Sequence, residues 1–294
     1  EIKKRIKAVG NIRRITKTMQ MIATAKFSAS QQRAVAGRPY ADALFALVGN
    51  LAGAIGDVSH PLLATGEAKA SGTGRELTLI ITSDRGLCGP YNSSVLRIAS
   101  NFLKTNAAAK GGLIELVGKK GAGFLKFNNI SVARQHAFGD KPSFEAIQAL
   151  AQDYIDRFSK GEVSSVRVVY MKFLSAGKQV PTVFQLLPFQ TPEKPAATTA
   201  GAGADAGAVQ IYEFTPSATE LLNELLPAAV KAMLFQIFND AIVSEHVSRM
   251  VAMKAATDAS GKLGKRYTRI YNRARQAQIT TELTEIISGA AALE

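Results

Sequence analysis

Apolar side chains in the first part of the chain fall at Ile2, Ile6, Val9, Ile12, Ile15, Met19 and Ile22, in steps of three and four, with lysines and arginines in the gaps. That spacing defines one stripe of a helix. No proline intervenes before Pro39, and the stripe resumes through Tyr40, Leu44, Leu47, Val48 and Leu51; only Gly37-Arg38-Pro39 suggests a bend. Gly56, Asp57, Ser59 and His60-Pro61 supply stop signals. The other end of the chain mirrors this pattern. Thr215-Pro216-Ser217 with Glu220 forms a capping box. Beyond it Leu222, Leu225, Leu226, Val230, Met233, Leu234, Ile237, Phe238, Ala241 and Ile242 keep a helical stripe. It resumes at Met250, Met253, Ile270, Ile279, Leu283, Ile286 and Ile287, with Pro227 expected to kink or separate the first turns.

The period changes between the two ends. Leu77–Ile81, Leu113–Val117 and Val166–Phe173 read as strands, and Ser93–Leu103 and Phe144–Phe158 as helices. Their alternation predicts an α/β layer with a largely parallel sheet. Thr182–Leu187 reads as an added strand, antiparallel to its predecessor across Ala176-Gly177, and Val209–Phe214 as a returning strand. The Ala-, Thr- and Gly-rich residues 192–208 are expected to form a flexible insert. The resulting division is a helix over 1–58, a loop over 59–74, an α/β domain over 75–214 and a helix over 215–294.

Helices of about 55 and about 65 to 70 residues span roughly 80 and 100 Å, well beyond the roughly 35 to 40 Å diameter of the intervening domain. A stripe of that length is stable only when covered, and the cheapest cover is the other terminal helix. The expected fold is a long antiparallel coiled coil of the N- and C-terminal helices projecting from a small α/β, Rossmann-like domain.

The formal charge of +13 is concentrated in the ends: residues 1–40 carry +9 and residues 244–275 carry +6. A single cysteine, Cys88, excludes a disulfide scaffold and Cys-rich zinc modules. No apolar run reaches the ~18 residues that span a bilayer. The chain starts at Glu1 in place of methionine, which fits removal of a leader, although no secretory or transit peptide is visible.

Catalytic constellations are scarce. Gly118-Lys119-Lys120-Gly121-Ala122-Gly123 has glycines but neither the spacing nor the terminal hydroxyl of a phosphate-binding loop. His60, His136 and His246 are isolated and lack metal-ligand spacing. The best candidate is Ser83-Asp84-Arg85-Gly86-Leu87-Cys88-Gly89, between a strand and a helix, where α/β folds bind ligands. Cys88 could serve a Cys-dependent hydrolase there. A tight turn built on Asp84, Gly86, Cys88 and Gly89 explains the same residues without chemistry. The basic ends admit a second reading, a coiled-coil nucleic-acid-binding protein. Against it, the first 40 residues contain only Phe27 and Tyr40 for stacking on bases.

Three blocks resemble one family, the gamma subunits of the F-type ATP synthase. They are Ile12-Arg-Arg-Ile-Thr-Lys-Thr-Met-Gln-Met-Ile-Ala-Thr-Ala-Lys26; Ser83–Gly89 with Asn92; and Ser244-Glu-His-Val-Ser-Arg-Met-Val-Ala-Met-Lys-Ala-Ala-Thr-Asp258, continuing through Tyr271-Asn272 and Arg275 to Ala290. The resemblance implies a non-catalytic central rotor without a cofactor or metal of its own, catalysis lying in beta subunits. Its implied partners are the alpha and beta subunits of the catalytic ring, a delta/epsilon-type central-stalk subunit and the c-ring, through which it is peripheral to a membrane; nucleic acid is not among them. Arg275, Gln276, Thr280 and Glu282, with Lys17 and Met19 on the N-terminal helix, match beta-subunit contacts, and Tyr212 and Phe214 are expected at the c-ring. Gly264, Arg266 and Arg269 depart from the family pattern and are expected to loosen helix pairing. With Cys88 alone, the dithiol regulation of chloroplast relatives is not expected. That leaves the mitochondrial inner membrane, matrix side, favoured by the missing methionine, or the cytoplasmic side of a bacterial plasma membrane.

Overall fold

The computed structural model describes residues 1–55, 60–63, 75–190 and 218–291. The chain forms α1 (Ile2–Ile55), β1 (Glu76–Ile81), α2 (Tyr91–Thr105), α3 (Ala107–Lys110), β2 (Leu113–Val117), α4 (Lys120–Phe127), β3 (Arg134–His136), α5 (Phe144–Ser159), β4 (Ser165–Ser175), β5 (Lys178–Leu187) and α6 (Ala218–Ala291). It divides into two compact units. One contains residues 1–27, 87–89 and 246 onward; the other contains 28–86 and 90–245.

The second unit is built on a five-stranded sheet in the order β3-β2-β1-β4-β5. β1 pairs in parallel with β2 and β4, and β2 with β3; among the described strands only the β4–β5 hairpin is antiparallel. β1 is buried along its whole length, as expected for a central parallel strand covered on both faces. Leu77, Leu79 and Ile81 join a core with Ile147, Leu150 and Tyr154 of α5, Val48 and Leu51 of α1, and Leu222 to Ala241 of α6. Pleat alternation sends Thr78 and Ile80 to the opposite face, where α2 packs. α5 starts where Ser143 caps it, its hydroxyl accepting from the Ala146 N–H at 3.2 Å.

α4 and β3 escaped the sequence reading. The glycines at 121 and 123 argue against a helix by propensity, yet Gly121 is required by packing: a Cβ there would lie 2.7 Å from Leu116 Cδ1. β3 has only three residues. Pro39 and Pro227 both lie inside helices, and α6 does not separate at Pro227, where Leu226 and Val230 are fully buried. One stretch of α6 has a mean hydropathy of 1.4 and meets the length and composition test for a membrane span, contrary to the expectation that none would. Its apolarity has another explanation, because 44% of that stretch is buried within the protein. The expected insert over 192–208 and the strand over 209–214, with Tyr212 and Phe214, lie outside the described residues.

In the first unit, α1 and α6 run antiparallel. Arg5 reaches Tyr267, Val9 stands over Gly264, Arg13 over Gly261, and Thr16 meets Thr257. Along α1 as a whole, the buried positions up to Val48 are Val9, Thr16, Ala23 and Ser30, each seven apart, then Ala34, Ala41 and Val48 after one step of four, with Leu51 three further on. A seven-residue repeat is the signature of a coiled-coil seam, and the extra step of four is a stutter that locally unwinds it. The seam is made of small residues. Ile12, Ile15 and Ile22, expected in the covered stripe, are instead more than half exposed. The pairing expected to loosen at Gly264 is closed: Val9 is buried there, and a Cβ on Gly264 would only just touch its Cγ1, at 3.8 Å.

Candidate partner-binding surface

The antiparallel register brings the start of α1 level with about Asn272 of α6, so the rest of α6 has no α1 residue opposite it. Every residue from Asn272 to Ala291 is exposed. Arg275, Gln276, Thr280 and Glu282 all lie on this uncovered segment. They are held only by the helix itself, the Thr280 hydroxyl donating to the Gln276 carbonyl at 2.9 Å and Gln278 donating to Glu282 at 2.8 Å. Ile279, Leu283, Ile286 and Ile287, between 55% and 69% exposed, form an apolar stripe on the same segment.

Lys17 is exposed and Met19 half-buried. Their level on the helix pair is roughly 30 Å below Arg275 along α6, at 1.5 Å per residue, so the two groups of expected contact residues do not form one site. Lys17 lines an open groove of about 500 Å³ with Gly10, Arg13, Arg14, Gln20, Lys254, Thr257 and Asp258. No ion pair among the described residues neutralises its four cations. Flanking it, Ile12, Ile15, Met21 and Ile22 of α1 and Val251 of α6 are exposed. Large aliphatic side chains and unpaired cations on one surface characterise a face that another macromolecule covers.

The Ser83–Gly89 turn does a different job from the chemistry considered for it. The Ser83 N–H donates to Asn92 Oδ1 at 3.0 Å, and the Ser83 hydroxyl donates to the Arg85 carbonyl at 2.7 Å. Leu87 and Gly89 take positive φ, at 63° and 56°. A Cβ on Gly89 would stand 3.4 Å from Ala252 Cβ and 3.8 Å from the Ser248 carbonyl, so the turn packs its tip directly on α6. Cys88 is 2% exposed, which removes the access a nucleophile needs. The cavity beside Thr82, Asp84 and Gly118 holds about 30 Å³, against the 300 Å³ or more typical of a nucleotide-sized ligand site. Among the described residues, no three His, Cys, Asp or Glu side chains gather as a metal site.

Three buried acidic groups were missed: Glu76 at the start of β1, within 3.3 Å of Arg167, Glu115 and Asp240. Glu115 lies within β2, its side chain 1% exposed, accepting from Tyr154 Oη at 2.8 Å and Arg157 Nη1 at 3.2 Å and sharing a 2.7 Å contact with His136 Nε2. Burial pushes its carboxyl up, but the bonds to His136 and Tyr154 more than offset this and hold it below the usual range. A lone Glu inside the apolar run Leu-Ile-Glu-Leu-Val was the available signal. Asp240 on α6 pairs with Arg38 of α1 at 3.3 Å. Burial raises its carboxyl above the usual range, partly countered by Arg38 and Gln236.

The comparisons agree with this geometry. A family model described as ATP synthase matches residues 1–293. The ATP synthase gamma chain of Rhodopirellula baltica is 40% identical over 99% of this chain and 97% of its own length. That of Desulfitobacterium hafniense is 37% identical over 100% of this chain and 98% of its own length. Among solved structures, a rotor chain of the Euglena gracilis mitochondrial ATP synthase superposes with a TM-score of 0.62 at 17% identity, covering 95% of this chain and 97% of that one. A chain from the central stalk and c-ring of the Tetrahymena thermophila enzyme gives 0.59 at 21% identity, over 82% and 99%. On full-length similarity at this level, together with the paired terminal helices and the α/β sheet, the chain belongs to the ATP synthase gamma chain family.

Proposed function

We propose that the chain is the non-catalytic central rotor subunit of an F-type ATP synthase, coupling ion-driven rotation of a c-ring to cyclic change in catalytic beta subunits. The observation that carries this reading is the uncovered helical surface of the first unit. It combines a basic groove, a row of exposed isoleucines and a bare helical end, on a chain that matches gamma chains from end to end. A rotor works by presenting a different face to each catalytic site, so that unequal contact energies shift each site's open and closed populations. Such a surface needs contact area without strong fixed pairs. Exposed ion pairs are worth only about 0 to 1 kcal/mol each and release easily.

Its partners are then alpha and beta subunits, a delta/epsilon-type central-stalk subunit and the c-ring. Arg275, Gln276, Thr280 and Glu282 meet a beta subunit near the end of α6, Lys17 and Met19 meet the ring lower down, and Tyr212 and Phe214 serve the c-ring. ATP is made and hydrolysed in beta. The relatives of about 40% identity are bacterial, whereas the mitochondrial structures are 17% and 21% identical, which favours the cytoplasmic face of a bacterial plasma membrane. Nothing in the geometry or the comparisons favours nucleic acid.

Native mass spectrometry of complexes isolated through this chain tests the reading. Alpha and beta subunits at three copies each per copy of this chain are expected; ATP hydrolysis by the isolated chain, or recovery of nucleic acid without them, refutes it.

A further inference from the structure

The seam residues of α1 from Ala23 to Ala41 are small: Ala23, Ser30, Ala34 and Ala41. Small side chains allow close approach, but they distinguish one axial register from the next poorly, because each makes few contacts that a shift would break. Within this stretch lies Pro39, which removes one helical hydrogen bond. Directly before it, Gly37 and Arg38 meet α6. A Cβ on Gly37 would lie 3.6 Å from Gln236 Oε1, and Arg38 Nη2 lies 3.3 Å from Asp240 Oδ1. Gln236 Nε2 donates to that same oxygen at 3.1 Å from one turn earlier on α6. The Asp240 side chain is 7% exposed. On β4, Tyr170 and Lys172 also face Asp240. The two long helices and β4 thus meet at one buried carboxylate. Arg38 is 45% exposed and Asp240 only 7%, so the pair contributes little net stability, but an arrangement that leaves the buried Asp240 carboxylate without its partner is penalised.

We infer that Asp240 is a positioning residue: through Arg38 and Gln236 it fixes the axial register of α1 on α6 beside Pro39, so that the helix pair twists as one body under load. The inference rests on the rotor reading. An apolar substitute would pack, but it would not oppose sliding along a seam of alanines.

The test uses the whole ATP synthase, assembled with cognate alpha and beta subunits and c-ring in liposomes, and reads ATP-driven proton pumping per ATP hydrolysed. Asp240→Ala is expected to lower that ratio about threefold while hydrolysis persists, in the range by which residues away from both sites modulate coupling. Exchanging the pair, Arg38→Asp with Asp240→Arg, is expected to recover at least half the loss. A purely structural role would lower pumping and hydrolysis together with the amount of complex, leaving the ratio unchanged, and that result overturns the inference. Should Asp240→Ala fail to assemble, Gln236→Ala, which removes one contact to the same oxygen, must lower the ratio; an unchanged ratio there overturns it equally. If the unaltered chain neither assembles nor supports pumping, the rotor reading itself fails, and the inference with it.

Discussion

Thr257 Oγ1 lies 2.9 Å from Thr16 Oγ1, two hydroxyls joined across the seam of α1 and α6 where both side chains are only 9% exposed. Thr16 donates to the Arg13 carbonyl at 3.1 Å, so its oxygen can only accept, and the single Thr257 proton is shared between that oxygen and the Met253 carbonyl at 2.8 Å. Losing one member of a buried polar pair costs more than replacing both by apolar groups of the same shape. Thr16→Val should therefore destabilise the chain by about 1 kcal/mol, and Thr16→Val with Thr257→Val by less than the sum of the single changes. Urea denaturation of the four chains measures the coupling; additivity would mean that the hydroxyls merely coexist.

The end of α6 has no packing partner among the described residues, so its amides should open by local fraying alone. Hydrogen exchange over residues 273–291 is expected to run at least about a hundredfold faster than around Met253, and to slow on assembly with alpha and beta subunits. Equal protection in the isolated chain would show that self-association covers the end instead.

Acid should act through Glu115. Its carboxyl is held below the ordinary value of 4.5, so it contributes stability that is present above that value and lost as pH falls through the lower folded value. Glu76 and Asp240 have the opposite sign. Burial raises both, and the strain of keeping them ionised near neutrality is relieved as pH falls through their raised values. Glu115→Gln should lower the melting temperature at pH 7, since the half-buried Arg157 then keeps only Asp153 as a charged partner, and should flatten the acid limb below about pH 4.5. Melting curves from about pH 3 to 7 check this. An acid limb as steep as the parent's would place the sensitivity elsewhere.

Arg275→Ala combined with Gln276→Ala should leave the fold intact, within about 0.5 kcal/mol, because both side chains are exposed. ATP synthesis by the assembled enzyme should slow. If turnover matches the parent's, these two positions are plain helix surface.

The helical ends and four of the five strands were legible because their periods are long or their apolar runs continuous. The seam was not. Ile12, Ile15 and Ile22 look like core residues to any hydrophobic count, and Thr16, Ala23 and Ser30 do not, yet the structure buries the second group and exposes the first. Hydrophobicity records burial in the final assembly, whereas small size records how near two backbones come. α4 was hidden because Gly121 is a poor helix former that only tertiary packing requires, and Cys88 drew attention through its chemistry although it is buried, beside a Gly89 that packs on α6. Glu115 and Asp240 were visible as charges in apolar runs. Their partners, His136 and Arg38, lie 21 and 202 positions away and could not be paired by inspection.

The bare end of α6 also bears on how such a subunit survives its own synthesis. Released from the ribosome ahead of its companions, it displays four large aliphatic side chains that none of the described residues shields, an invitation to clumping or to proteases. A cell that makes it must therefore match its output to that of its companions or keep it chaperoned, and surplus copies should be short-lived.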